Sequence, residues 1–177
     1  FGIRWMTIHA DITRTFPVSG RFNPMQKILY EIVLKAQVAV EKKARAGVMI
    51  DELNKVCWDK ISQGLEHNFT ALGGKFKLQY KGRPHGVSHL MGEQEHDGDP
   101  FRNYSQQPMK SGWMISNEPG LYGEFRLSLN GKTYDEKIGI RIEDNLVMTS
   151  GGCMNLSSKI PKTVKQIEKL MTSRKES

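Results

Sequence analysis

The sequence predicts an α+β fold. Two segments with helical hydrophobic spacing sit together in the first half, and strand-like runs with period-two alternation dominate the second. Between them lies a stretch of glycine, proline, histidine and acid with neither period, the pattern of functional loops joining short strands. With 177 residues the chain is about one domain, long enough to bury a sizeable core.

Taken in order, residues 3–16 are rich in Ile, Thr, Trp and Phe, broken only by His9-Ala10-Asp11, and predict two strands or one bent strand with Asp11 in mid-sheet. Asn23, Pro24 and Gln26 then have the spacing of a helix cap, a first-position proline and a capping box. From there Ile28, Ile32, Val33, Ala36 and Val40 mark a helix running to a left-handed stop at Gly47. Asp51 is the expected cap of a second helix with Leu53, Val56, Cys57, Ile61 and Leu65 on one face, ending in the stretch from Gly64 to Asn68. Cys57 is expected to be buried packing rather than a reactive thiol. Residues 113–117 and 138–143 predict strands, joined by an irregular segment containing Gly120, Gly123 and Gly131. In the second strand the isoleucines alternate with Gly139, Arg141 and Glu143, which sends Arg141 and Glu143 to one face. A short strand over 145–149 follows, and Thr163 with Gln166 caps a final helix.

Composition narrows the function classes. Hydrophobic residues make up 38% and charged residues 25%, ordinary for a folded chain. No apolar run approaches the roughly 20 residues of a membrane span, so no membrane partner is expected. The net charge of +7 is dispersed on helices and in a tail from Lys159 to Lys175, without a basic stripe interleaved with aromatics. No nucleic-acid partner is expected. Cys57 and Cys153 match no disulfide framework or zinc motif, which favours a reducing, cytoplasmic compartment. Nothing at the start resembles a signal peptide, and because the chain begins with Phe1 an upstream portion is expected.

The candidates for chemistry are Asp11 in its strand-like run, His89 in PHGVSHLMGEQEHD, Glu118 in SNEPGLY and Glu143 in GIRIED. Ionised carboxylates on the inner side of a sheet repel one another and lose hydration, so they need a cation or basic partners to stay charged. Three carboxylates and an imidazole form an oxygen-dominated set suited to Mn²⁺, with Co²⁺ or Zn²⁺ as alternatives. Arg141, on the strand face of Glu143, would orient a carboxylate ligand from behind.

These residues resemble the pita-bread metallopeptidases, and within them Xaa-Pro aminopeptidase, or aminopeptidase P. ADITRTFPVSGRF resembles the strand of that family's second metal aspartate, HGVSH its metal-histidine loop, NEPGLY its first glutamate motif and GIRIED its second. QKILYEIVLKAQ and IPKTVKQIEKLM look like its flanking segments, so the likeness runs through nearly the whole chain. The resemblance implies a pita-bread (creatinase/aminopeptidase-like) fold and a dinuclear centre in the intact enzyme. Asp11 and Glu143 would be shared ligands, with His89 and Glu118 serving mainly one metal. It also implies that Glu118 shuttles a proton, and that His85 and His96 line the substrate pocket and steady charge developing at the scissile carbonyl. The substrates implied are peptides with proline at the second position.

Departures from the family pattern carry expectations of their own. Glu93-Gln94-Glu95 places charge where a half-buried strand is expected, and Ser116-Asn117 stands where Thr-Ile or Thr-Val is commoner. The family's first metal aspartate falls one position before Phe1, and Phe1-Gly2 looks like the remainder of its motif. The chain is therefore expected to be an N-terminally truncated catalytic domain, without the first helices and the separate N-terminal domain, and of doubtful activity alone. Apolar surface bared by the missing helices would favour a homo-oligomer. Serine at position 88 favours aminopeptidase P over Xaa-Pro dipeptidase (prolidase). A third reading is a non-catalytic pita-bread module that binds peptides or proteins.

Overall fold

The computed structural model describes residues 2–5, 8–98 and 103–173. Phe1 and the Lys175 end of the basic tail, both singled out above, lie outside the described residues.

The chain opens with an antiparallel hairpin of β1 (Gly2–Trp5) and β2 (Ile8–Asp11). His9-Ala10-Asp11 is part of β2 rather than an interruption, and Asp11 ends the strand instead of sitting in mid-sheet. The extended residues that follow belong to no ladder, because other groups take their backbone bonds. Glu143 N–H donates to Thr13 C=O at 3.0 Å. Thr15 Oγ1 accepts from Arg141 N–H and donates to Arg141 C=O, both at 3.0 Å.

Helix α1 (Pro24–Lys43) starts with the expected box: Asn23 Oδ1 accepts Gln26 N–H at 2.9 Å and Gln26 Oε1 accepts Asn23 N–H at 3.0 Å. It stops at Ala44, short of Gly47, whose φ of +87° serves the connecting turn. Helix α2 (Ile50–Gly64) is capped at Met49, whose N–H donates to Glu52 Oε1 at 3.1 Å. Asp51 thus lies inside the first turn, favourable to the helix dipole, rather than at the cap. The two helices approach closely at Gly64, where a Cβ would stand 2.7 Å from Ile32 Cγ2. The chain then runs through a π turn (Leu65–Phe69) and a 3-10 turn (Thr70–Leu72) to Gly73, at φ +81°. Cys57 is fully buried, and burial pushes its thiol well above the usual range.

Two further antiparallel sheets complete the described structure. One has the order β3 (Lys75–Leu78), β6 (Gly120–Leu129), β7 (Lys132–Arg141). The other has the order β4 (Leu90–Met91), β5 (Met114–Asn117), β8 (Asp144–Met148), β9 (Cys153–Asn155). The segment expected to be irregular is the long β6–β7 hairpin. Its turn is Asn130-Gly131, both at positive φ (52° and 73°), the two-residue geometry that matches the strand twist. Gly123 marks a close crossing within this sheet: a Cβ there would lie 2.5 Å from Lys77 C=O on β3. Residues 93–95 form an exposed bend after the short β4, not a half-buried strand, so their charges stay hydrated.

Met25, Leu29, Ile32, Val33, Ala36 and Val40 of α1 are buried in one core with Leu121, Phe125 and Leu127 of β6 and Ile140 of β7. Helix α3 (Val164–Ser173) closes the chain behind its Thr163–Gln166 box and buries Ile167. An apolar groove of about 400 Å³ lies against the hairpin, bordered by Ile3, Ile8, Leu156 and Ile160. No helix among the described residues is long and apolar enough to cross a membrane.

Candidate metal centre

The four ligand candidates arrive from four separate segments. Asp11 ends β2, His89 precedes β4, Glu118 follows β5, and Glu143 lies in the link from β7 to β8. Ligand atoms of Asp11, His89 and Glu143 all fall within 4.8 Å of one another. Glu118 joins through His89, whose Nε2 lies 3.3 Å from Glu118 Oε1 and 3.8 Å from Asp11 Oδ2. All four line one cleft of about 290 Å³, together with Arg141, His85 and His96. Every candidate named from sequence is therefore brought to this cleft. Arg141 and Glu143 do share it, although Glu143 sits beyond the end of β7 rather than on the strand.

Local structure explains each placement. The HGVSH segment is held as a rung beside β5: Glu118 N–H donates to Val87 C=O at 2.9 Å, and Ser116 N–H to His89 C=O at 3.0 Å. From the other side Asn54 Oδ1, on α2, accepts Val87 N–H at 2.8 Å. Ser116, a departure from the commoner threonine, accepts His89 N–H and donates its hydroxyl to Glu118 Oε1 at 3.2 Å. His89 Nδ1 lies 3.3 Å from Leu90 C=O, which leaves Nε2 to face the carboxylates. His96 stacks on His89 with ring centroids 4.0 Å apart and planes 8° from parallel. His85 Nδ1 meets Gly86 C=O at 2.8 Å and its Nε2 lies 3.3 Å from Tyr122 Oη. Arg141 donates Nε–H to that same Tyr122 Oη at 2.9 Å and pairs with Glu118 at 3.4 Å.

The electrostatics are those of a crowded anionic cleft. Burial pushes the Glu143 carboxyl up to about 7, and the Glu118 and Asp11 charges add to it. Asp11 is raised by burial and by the neighbouring Glu95 carboxylate. For Glu118 burial acts upward, but His89 and Arg141 outweigh it and hold the carboxyl low. For His89 burial acts downward, and contact with Glu118 overrides it, so the imidazole holds its proton more tightly than usual.

Several contributing residues had no signal in the sequence. Thr13 Oγ1 donates to Glu143 Oε2. Arg14 donates to the carbonyls of Thr13, Glu143 and Pro161 and pairs with Asp144 at 2.6 Å. Asp144 is fully buried and also accepts from Lys162, Gln37 and Asn155. Thr13 and Arg14 lie inside the quoted aspartate motif, yet their roles depend on partners about 130 positions away.

The residues present fit a divalent cation. Glu143 is 1% exposed and, among the described residues, its Oε1 has no hydrogen-bond partner, an anomaly for a buried carboxylate unless a cation is its counterpart. The donor set of carboxylates and one imidazole is the hard type that such cations take.

Fold and centre together point to one family. The chain belongs to metallopeptidase family M24, whose sequence model matches residues 1–150. It is 34% identical to the Xaa-Pro aminopeptidase of Haemophilus influenzae over 177 residues, covering 96% of this chain and 40% of that one. It is 30% identical over 164 residues to a mitochondrial intermediate cleaving peptidase 55 from Arabidopsis thaliana, covering 93% of this chain and 32% of that one. A histidine-to-alanine variant of Escherichia coli aminopeptidase P superposes with a TM-score of 0.79 at 29% identity, covering 99% of this chain and 41% of that one. Aminopeptidase PepP of Pseudomonas aeruginosa gives a TM-score of 0.75 at 30% identity, with 97% and 40% covered. The chain is thus aminopeptidase P-like with the pita-bread fold, and it spans less than half the length of these relatives.

Proposed function

We propose that this chain carries the catalytic centre for metal-dependent hydrolysis of the bond between an N-terminal residue and a following proline. The observations that carry the reading are ligand atoms of Asp11, His89 and Glu143 within 4.8 Å of one another and, among the described residues, no hydrogen-bond partner for Glu143 Oε1. In this reading Asp11, His89, Glu118 and Glu143 hold the metal, with Mn²⁺ as first choice. A bound divalent cation supplies Lewis acidity, lowering the pKa of water and stabilising negative charge on the scissile carbonyl oxygen.

The remaining work falls to side chains. Glu118, beside the Arg141 guanidinium, is the base that takes the proton of the attacking water and passes it to the departing proline nitrogen. Arg141, fixed by Tyr122, holds Glu118 in place. Proline offers no N–H for an ordinary peptide clamp, so ring contacts must select it, and His85, His96 and Tyr122 supply ring edges and faces beside the cleft. His96, stacked on His89 at the cleft, would in this reading donate toward the carbonyl.

Isothermal titration with MnCl₂ and a peptide assay test the reading. The expected outcome is Mn²⁺ uptake that His89→Ala weakens by at least about 100-fold, with release of the first residue from a tripeptide with proline second but not from its alanine counterpart. Cleavage confined to Xaa-Pro dipeptides would instead favour a prolidase, and a chain that binds no Mn²⁺ would favour the non-catalytic module.

A further inference from the structure

Where β2 ends, opposite Gly2 of β1, the N–H and C=O of Asp11 are met by a side chain. Asn145 Oδ1 accepts Asp11 N–H at 3.1 Å, and Asn145 Nδ2 donates to Asp11 C=O at 2.7 Å. The two residues are 134 positions apart, and Asn145 is 3% exposed. A primary amide presents an acceptor and a donor side by side, as a peptide group does, so this pair of bonds reproduces a ladder rung. An ionised aspartate or an aliphatic side chain could not make both bonds.

The amide is itself held rigidly. Asn145 lies in β8 opposite Ser116 of β5, and its own N–H donates to the buried Ser157 Oγ at 3.0 Å. Its Nδ2 also lies 3.2 Å from Met91 Sδ on β4. Among the described residues, His9 N–H also ties the hairpin to Gly92 C=O at 3.0 Å, and Thr13 C=O accepts Glu143 N–H at 3.0 Å. The Asp11 carboxylate must nonetheless be aimed at the cation position shared with His89 and Glu143. A working site holds its geometry to within roughly 0.5 Å, and side chains behind the ligands commonly set it.

We propose that Asn145 is a positioning residue for the metal centre: its amide fixes the backbone of Asp11, and so the aim of the Asp11 carboxylate, without touching the cation. This rests on reading the cleft as a cation site.

The test compares wild type, Asn145→Ala and Asn145→Gln, with His89→Ala as the control for ligand loss. Mn²⁺ affinity is measured by titration calorimetry, the Mn²⁺ coordination by electron paramagnetic resonance, and the fold by melting of the metal-free chains. Asn145→Ala is expected to weaken Mn²⁺ about 10- to 100-fold and broaden the Mn²⁺ spectrum, with the secondary structure of the metal-free chain retained. Asn145→Gln, which keeps the amide but displaces it by one methylene, is expected to fall between. Hydrogen exchange on the wild-type chain gives a second readout that does not depend on any variant folding. The Asp11 amide should be protected, and more so with Mn²⁺ bound. Asn145→Ala with Mn²⁺ affinity within about threefold of wild type, or an Asp11 amide that exchanges as freely as an exposed one, would overturn the proposal while leaving the cation site standing. A wild-type chain that takes up no Mn²⁺ would overturn both.

Discussion

Raising the pH through neutrality should destabilise the metal-free chain, and Mn²⁺ should reverse that trend. The group responsible is Glu143, 1% exposed, with one oxygen bonded by Thr13 and the other unpartnered. Burial, reinforced by Glu118 and Asp11, pushes its carboxyl from an ordinary 4.5 up to about 7. The folded chain therefore holds this proton more tightly than the unfolded chain. The stability linked to that proton is fully present below about pH 4.5 and is lost as the pH climbs to about 7. At roughly 1.4 kcal/mol per pH unit, the interval amounts to about 3 kcal/mol, a large share of a typical domain's stability. Asp11, raised by burial and by Glu95, acts with the same sign. A divalent cation needs the carboxylates deprotonated, so its stabilising effect must grow over the same interval. The assay is urea unfolding at pH values from about 4 to about 8, in chelator and in excess Mn²⁺, on wild type and Glu143→Gln. Taking the difference between the two chains cancels the titrating groups remote from Glu143 and leaves Glu143 together with Asp11 and Glu118, whose charges it feels. The reasoning is refuted if, in chelator, the wild type loses no more stability than Glu143→Gln as the pH rises from about 4.5 to about 7.5.

Two further perturbations probe the frame around the centre. Asp144→Asn leaves the buried Arg14 without its anion and Lys162 with Glu41 alone, and should cost about 3 kcal/mol by urea unfolding; a loss below about 1 kcal/mol would mean the cluster does not act as a buried ion network. Burial alone would raise the Asp144 carboxyl, but Lys162, Asn155 and Arg14 hold it low, which is why neutralising it should be felt. Gly123→Ala would bring a methyl to 2.5 Å from Lys77 C=O, forcing β3 off β6, and should lower stability by about 1–3 kcal/mol, whereas an alanine at exposed Gly151, where nothing lies within 4 Å, should not.

How much of this was legible beforehand follows from the range of the interactions involved. The box at Asn23 and Gln26, the α1 core face and the Thr163 box depend on contacts within about a turn of helix, and spacing alone reveals those. The β6–β7 hairpin was misread because glycines at 120, 123 and 131 look like breakers, although one of them serves a turn with Asn130 and another a close crossing with β3. The displaced stop at Ala44 and the cap at Met49 have the same origin, since a signal such as Gly47 or Asp51 marks a region better than a residue.

The residues by themselves determined the kind of chemistry available: carboxylates and an imidazole in motifs far apart, of types that suit a hard cation. Only the tertiary structure decided that Asp11, His89 and Glu143 share one centre, that one Glu143 oxygen is left without a protein partner, and that Arg14, Asp144 and Asn145 hold the assembly together. The reason is physical. A side chain's type fixes what it can bond, but the partner it meets across about 130 residues is fixed by how the sheets and helices pack, and no local spacing encodes that.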